Sequence, residues 1–84
     1  MAFIIKYNTM NITIQPSTHH TVENATIVSN QSDNAILFQK AADVNPNPAG
    51  MHTMLPRVVM TITAGESVVF YNPNTQAINI VVTL

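Results

Sequence analysis

Apolar and polar residues alternate along much of this chain with a period of two. Ile12 and Ile14 are interleaved with Asn11 and Thr13, and Ile78, Ile80 and Val82 recur at every second position near the C-terminus. A period of two puts successive side chains on opposite faces of an extended strand. No window carries the i, i+3, i+4, i+7 pattern of an amphipathic helix. Leu is scarce, while Ile, Val and Thr, which suit a pleated surface, dominate. The pattern predicts strands over 2–7, 10–15, 19–23, 25–29, 35–40, 57–63, 67–71 and 77–84.

Turn residues separate these runs. Pro16-Ser17 and the polar stretch NQSDN at 30–34 break the N-terminal half. Ala64-Gly65-Glu66 reads as a tight turn in which Gly65 is free to take a positive φ. Asn72-Pro73-Asn74-Thr75 reads as a turn whose Pro presets the first corner. Two hairpins in succession predict a three-stranded antiparallel meander over 57–84. Residues 41–56 form the one long irregular segment, holding three of the five prolines and one of the two glycines. Asn45-Pro46-Asn47-Pro48 excludes regular strand or helix there. No internal repeat is evident.

Val58-Val59, Val68-Val69 and Val81-Val82 place apolar residues on both faces of the C-terminal strands. One face meets the core, and the other must meet a second layer or another subunit. The fold class expected is all-β: a small antiparallel β-sandwich or jelly-roll-like barrel of about six to eight short strands. The chain of 84 residues is read as a single domain.

Composition then bears on how so small a domain is stabilised. A chain of this length buries only about 60% of its unfolded surface. There is no cysteine, so no disulfide contributes. Charged residues make up 8% of the chain, with a net charge of −1, against about 25% in ordinary soluble domains. Little electrostatic repulsion opposes self-association. These features favour a homo-oligomer. The apolar second-face and loop residues Val59, Val69, Val81, Met51, Met54 and Leu55 are the expected subunit interface.

Three basic side chains are too few to follow a phosphate backbone, so nucleic acid is not an expected partner. No apolar run approaches the ~20 residues of a membrane-spanning helix. The N-terminus MAFIIK lacks the basic and long apolar regions of a secretory signal, which fits cytoplasmic synthesis.

Catalytic and metal motifs are absent. Adjacent His19 and His20 point to opposite faces of a strand and cannot share a metal within one chain; a metal on an oligomer axis, or one shared with His52, stays open. Glu23, Asp33, Asp43 and Glu66 form no local pair for acid–base work. There is no thiol nucleophile, no Gly-x-Ser-x-Gly elbow and no glycine-rich phosphate loop. A non-enzymatic protein without cofactor is expected. The sequons at Asn11, Asn24 and Asn30 are about what chance gives in so Asn- and Thr-rich a chain.

The stretch VVMTITAGESVVFYNPNTQAINIVVTL, 58–84, is similar to the C-terminal part of cupredoxins, but Ala77 and Ile78 stand where their copper-binding His would be, which argues against copper. The same stretch, in a short Asn- and Thr-rich chain without Cys, resembles small bacteriophage virion β-proteins: capsid decoration (cement) proteins and fibre-type domains. That resemblance implies a structural protein of the virion that forms trimers and contacts a capsid or other virion protein. The alternative is a small carbohydrate-binding module, in which Tyr7 and Tyr71 stack on a sugar and Asn72, Asn74 and Gln76 bind its hydroxyls.

Overall fold

A computed structural model describes residues 9–41, 50–63 and 65–84. Among these residues eight strands follow in chain order: β1 (Thr9–Ile14), β2 (His19–Val22), β3 (Ile27–Asn30), β4 (Ile36–Lys40), β5 (His52–Met54), β6 (Val59–Thr61), β7 (Val68–Tyr71) and β8 (Ile78–Thr83). They form two four-stranded antiparallel sheets. The first has the order β1-β8-β3-β6 and the second β2-β7-β4-β5. The all-β expectation therefore holds. The strand expected over 2–7 lies outside the described residues.

Strand boundaries follow the sequence pattern closely, because alternation decides which face is buried. Ile12, Ile14, Val28, Ile78, Ile80 and Val82 of the first sheet meet Val22, Ile36, Met54, Val68 and Phe70 of the second in one core. Phe70, Ile36, Val28, Ile78, Ile80 and Val82 are completely buried. Each such side chain contributes about 1.5–3 kcal/mol relative to exposure.

Two sequence expectations need correction. The C-terminal meander does not form. β6 pairs with β3, β7 with β2 and β4, and β8 with β1 and β3, so consecutive strands alternate between sheets. The hydrophobic alternation that suggested a meander specifies which side of a strand is buried, but not its neighbour. The second correction concerns 41–56, where His52–Met54 is strand β5, paired with β4. Met54 pairs with Ile36 and is a core residue.

The chain also contains an internal repeat that its sequence hides. Replace β1–β4 by β5–β8 and the reverse, and the first sheet's order becomes the second's read backwards. The registers agree: Ile14 pairs with Ile78 as Met54 does with Ile36, and Met60 with Val28 as His20 does with Phe70. Pro16 and Pro56 follow β1 and β5, and the next residues, Ser17 and Arg57, both have positive φ, 58° and 62°. Asn24 and Gly65 take positive φ in the matching β2–β3 and β6–β7 turns. Pro16 and Pro56 are 40 positions apart, whereas Asn30 and Asn72 are 42 apart. The longer β6–β7 turn shifts the spacing, so no fixed period exists to detect. The central pairings differ by one pleat: Val28 pairs with Val82, but Lys40, the counterpart of Val82, pairs with Val68 rather than Phe70. A shift of two leaves the inward and outward faces unchanged.

Candidate ligand pocket and contact face

The inner face of the second sheet carries one row of rings. Register places His20 opposite Phe70, Phe70 opposite Phe38, and Phe38 opposite His52. Phe38 sits in the middle, its ring centroid 6.3 Å from that of Phe70 and 5.5 Å from that of His52, both tilted. Tilted aromatic pairs at such distances add about 0.5–1.5 kcal/mol beyond burial. Phe70 is fully buried, Phe38 half-buried and His52 exposed, so the row runs from the core to the molecular surface.

At that end the sandwich opens into a cavity of about 300 Å³. Phe38, Met60, Ile62 and Val68 supply apolar walls, and Lys40, His52, Thr61, Thr63 and Glu66 supply polar groups. Lys40 Nζ lies 3.4 Å from Glu66 Oε1; Lys40 is exposed and Glu66 half-buried. A more open depression of about 540 Å³ adjoins it, bordered by Glu23, Lys40, Ala41, Gly65, Glu66 and Ser67. The two hollows share Lys40 and Glu66. None of these residues was singled out from the sequence as a group, because four separate strands and a turn bring them together. The signal lay in the hidden repeat: the pair Phe38–His52 occupies the place of Ile80–Ile12 in the other half. There, Ile12 is 8% exposed and Ile80 buried outright.

The expected subunit-contact residues separate into two groups. Val59 is 60% exposed and Val81 half-buried, both on the outer face of the first sheet. They lie in one register row, Asn11–Val81–Ser29–Val59. Beside it runs the row Thr9–Thr83–Ile27–Thr61. No charged side chain stands at an outward position of this sheet among the described residues. Leu55 is 60% exposed between β5 and β6. In contrast Met51, Met54 and Val69 are buried within the chain and have little area to offer a neighbour.

Of the amides expected around Tyr71, Asn72 and Asn74 are committed to the fold. Tyr71 is half-buried and packs on His19 with ring centroids 4.7 Å apart. Asn72 is fully buried; its Nδ2 donates to the carbonyls of Ile14 and Gln76 at 2.9 and 2.7 Å. Asn74 donates to the Ala35 carbonyl and to Asn72 Oδ1. Gln76 is exposed. Tyr7 and Asp43 lie outside the described residues.

His19 and His20 point to opposite faces, as the strand period requires. His20 and His52 stand at opposite edges of the aromatic row, roughly 14 Å apart at about 4.8 Å per strand. Among the described residues no three His, Cys, Asp or Glu side chains are grouped to hold a metal ion. Asp33 accepts from Arg57 Nη2 at 2.7 Å, which links the β3–β4 and β5–β6 turns at the surface.

The chain matches no family model, no curated protein and no solved structure.

Proposed function

We propose that this is a non-enzymatic structural β protein that acts by self-association, with a jelly-roll fold. Two four-stranded sheets in a twofold-repeated order, with sequential strands alternating between them except at the central β4–β5 pair, support the jelly-roll reading. The observation that carries self-association is the charge-free outer face of the first sheet, where Val59, Val81 and Ile27 sit among Thr, Ser and Asn. Among the described residues every charged side chain lies in a turn or at a strand end. A face without charge offers no electrostatic selectivity for a charged partner, and nothing on it repels a second copy. Burying it adds apolar contact to a small domain that has no disulfide.

The setting we propose is a virion, as a decoration or fibre component, and the favoured assembly is a trimer. Jelly rolls serve in capsids and in lectins alike, so the fold alone does not choose between them. The resemblance of 58–84 to small bacteriophage virion proteins supports the first. The test is the solution mass by light scattering across a dilution series. A trimer that persists on dilution is the expected result, and a clean monomer at micromolar concentration overturns it.

A further inference from the structure

The cavity between β4, β5 and β6 is built differently from anything self-association needs. Its walls and rim combine an apolar ring surface with both hydrogen-bond donors and acceptors. Phe38 and His52 present aromatic rings, and Met60 supplies an unbranched, adaptable side chain. At the lip, Lys40 offers ammonium hydrogens and Glu66 carboxylate lone pairs 3.4 Å apart. Thr61 and Thr63 border the opening.

These groups select a chemistry. A simple anion meets Glu66 beside Lys40, and a simple cation meets Lys40 beside Glu66. A purely apolar ligand leaves the rim groups without new partners. A polyol uses them all: one of two neighbouring hydroxyls accepts from Lys40 Nζ while the other donates to Glu66. A sugar ring adds a C–H face suited to lie on Phe38 or His52. The volume, about 300 Å³, is at the lower end for small-molecule sites and of the order a single sugar ring needs. The adjoining depression, with Glu23 and Ser67 on its border, continues from the same ion pair.

The internal repeat gives an independent reason to single out this end. The scaffold features recur in both halves: the prolines, the positive-φ residues after them, and the buried asparagines. The lining does not recur. Phe38, His52 and Lys40 stand where the other half has Ile80, Ile12 and Val82, three residues that are buried core. The halves part company where one of them opens to solvent.

We propose that the cavity lined by Phe38, Lys40, His52, Met60 and Glu66 binds a neutral carbohydrate, with one sugar ring against Phe38 and His52 and a second unit in the adjoining depression. This site is separate from the self-associating face, and it places carbohydrate away from Tyr71 and Asn72.

The test is a titration of the ¹⁵N-labelled full chain followed by amide chemical shifts. The probes are methyl α-D-mannoside, N-acetylglucosamine and lactose, with sodium benzoate and choline as charged controls. The expected result is saturable shifts at Phe38, His52, Thr61, Thr63 and Glu66 with at least one sugar, and tighter binding of the disaccharide. Glu66→Gln and Lys40→Gln, neither at a core position, should each weaken binding about tenfold or more, as loss of a hydrogen bond to a charged group implies. Phe38→Leu keeps apolar volume and should also weaken it. Silence to all three sugars overturns the proposal, as does a response to benzoate or choline alone. Sugar-induced shifts confined to Tyr71 and Gln76, or shifts untouched by both rim variants, overturn it too. Because the variants leave Val59 and Val81 in place, failure here and failure of self-association are read separately.

Discussion

Asn30 and Asn72 perform the same task in the two halves of the chain. Each is fully buried at the end of a strand, β3 or β7. Each donates its amide to the carbonyl four residues ahead, Asn34 at 2.9 Å or Gln76 at 2.7 Å. Each donates again to the far-off segment that leaves β5 or β1: Leu55 at 3.2 Å, Ile14 at 2.9 Å. Each Oδ1 accepts from the backbone N–H two residues on, of Ser32 or Asn74. One side chain thereby closes its own turn and ties it to the opposite corner of the sandwich. No buried side-chain polar atom is left without a partner among the described residues.

Asn72→Ala should destabilise the fold by about 1–3 kcal/mol, and Asn30→Ala similarly, because each leaves buried polar groups unmatched. Asn72→Asp should cost at least as much at neutral pH, since a carboxylate oxygen then faces the Ile14 and Gln76 carbonyls. Urea unfolding checks this through a lower midpoint at unchanged slope. An unchanged midpoint for Asn72→Ala would mean that the amide contributes nothing net.

Phe70→Ala should cost about 3–5 kcal/mol, since its side chain is fully enclosed. For a domain this small that approaches the whole stability, so an unfolded circular dichroism spectrum is expected. Phe38→Leu, at the half-buried centre of the row, should stay folded.

Val59→Asp and Val81→Asp each place a charge on the outer face of the first sheet. Neither side chain belongs to the core cluster, so the protomer should fold while its assembly is lost. Light scattering should report the mass of a monomer, with a lower melting temperature than the assembled protein. A variant that keeps both mass and melting temperature counts against this face as the contact.

The backbone makes a sharper prediction. Ser17 and Arg57 hold φ at 58° and 62°, a region that costs a residue with a Cβ about 1–2 kcal/mol. Ser17→Gly should be neutral or stabilise by up to about 1 kcal/mol, the relief being partly offset by the freer unfolded chain. Ser17→Val should destabilise. Gly65, at φ 84°, has open space where a Cβ would go, so any loss in Gly65→Ala is backbone strain alone. Thermal melts of the three variants give the comparison.

Lys40→Gln and Glu66→Gln should each change stability by less than about 1 kcal/mol, since an exposed ion pair contributes little. Chemical denaturation would show it, and a larger loss would mean that the pair holds the cavity mouth together.

By itself the sequence determined that this chain is all-β, where most strands lie, and, in the clearest of them, which residues face the core. Ile12, Ile14, Val68, Phe70, Ile78, Ile80 and Val82 were legible because burial follows a local period of two. It did not determine partners between strands. A strand's alternation is satisfied by any neighbour on the correct face, so the meander expected of β6, β7 and β8 gave way to pairing in two different sheets. Only tertiary structure decided that β5 is a strand, since three residues carry too little pattern until β4 pairs with them. It alone turned Asn72 from a surface amide into a buried brace, because its bonding partners lie as far away as Ile14. The repeat and the cavity were hidden for the same reason. Both depend on residues far apart in the chain meeting across two sheets, and no local pattern records which distant residues will meet.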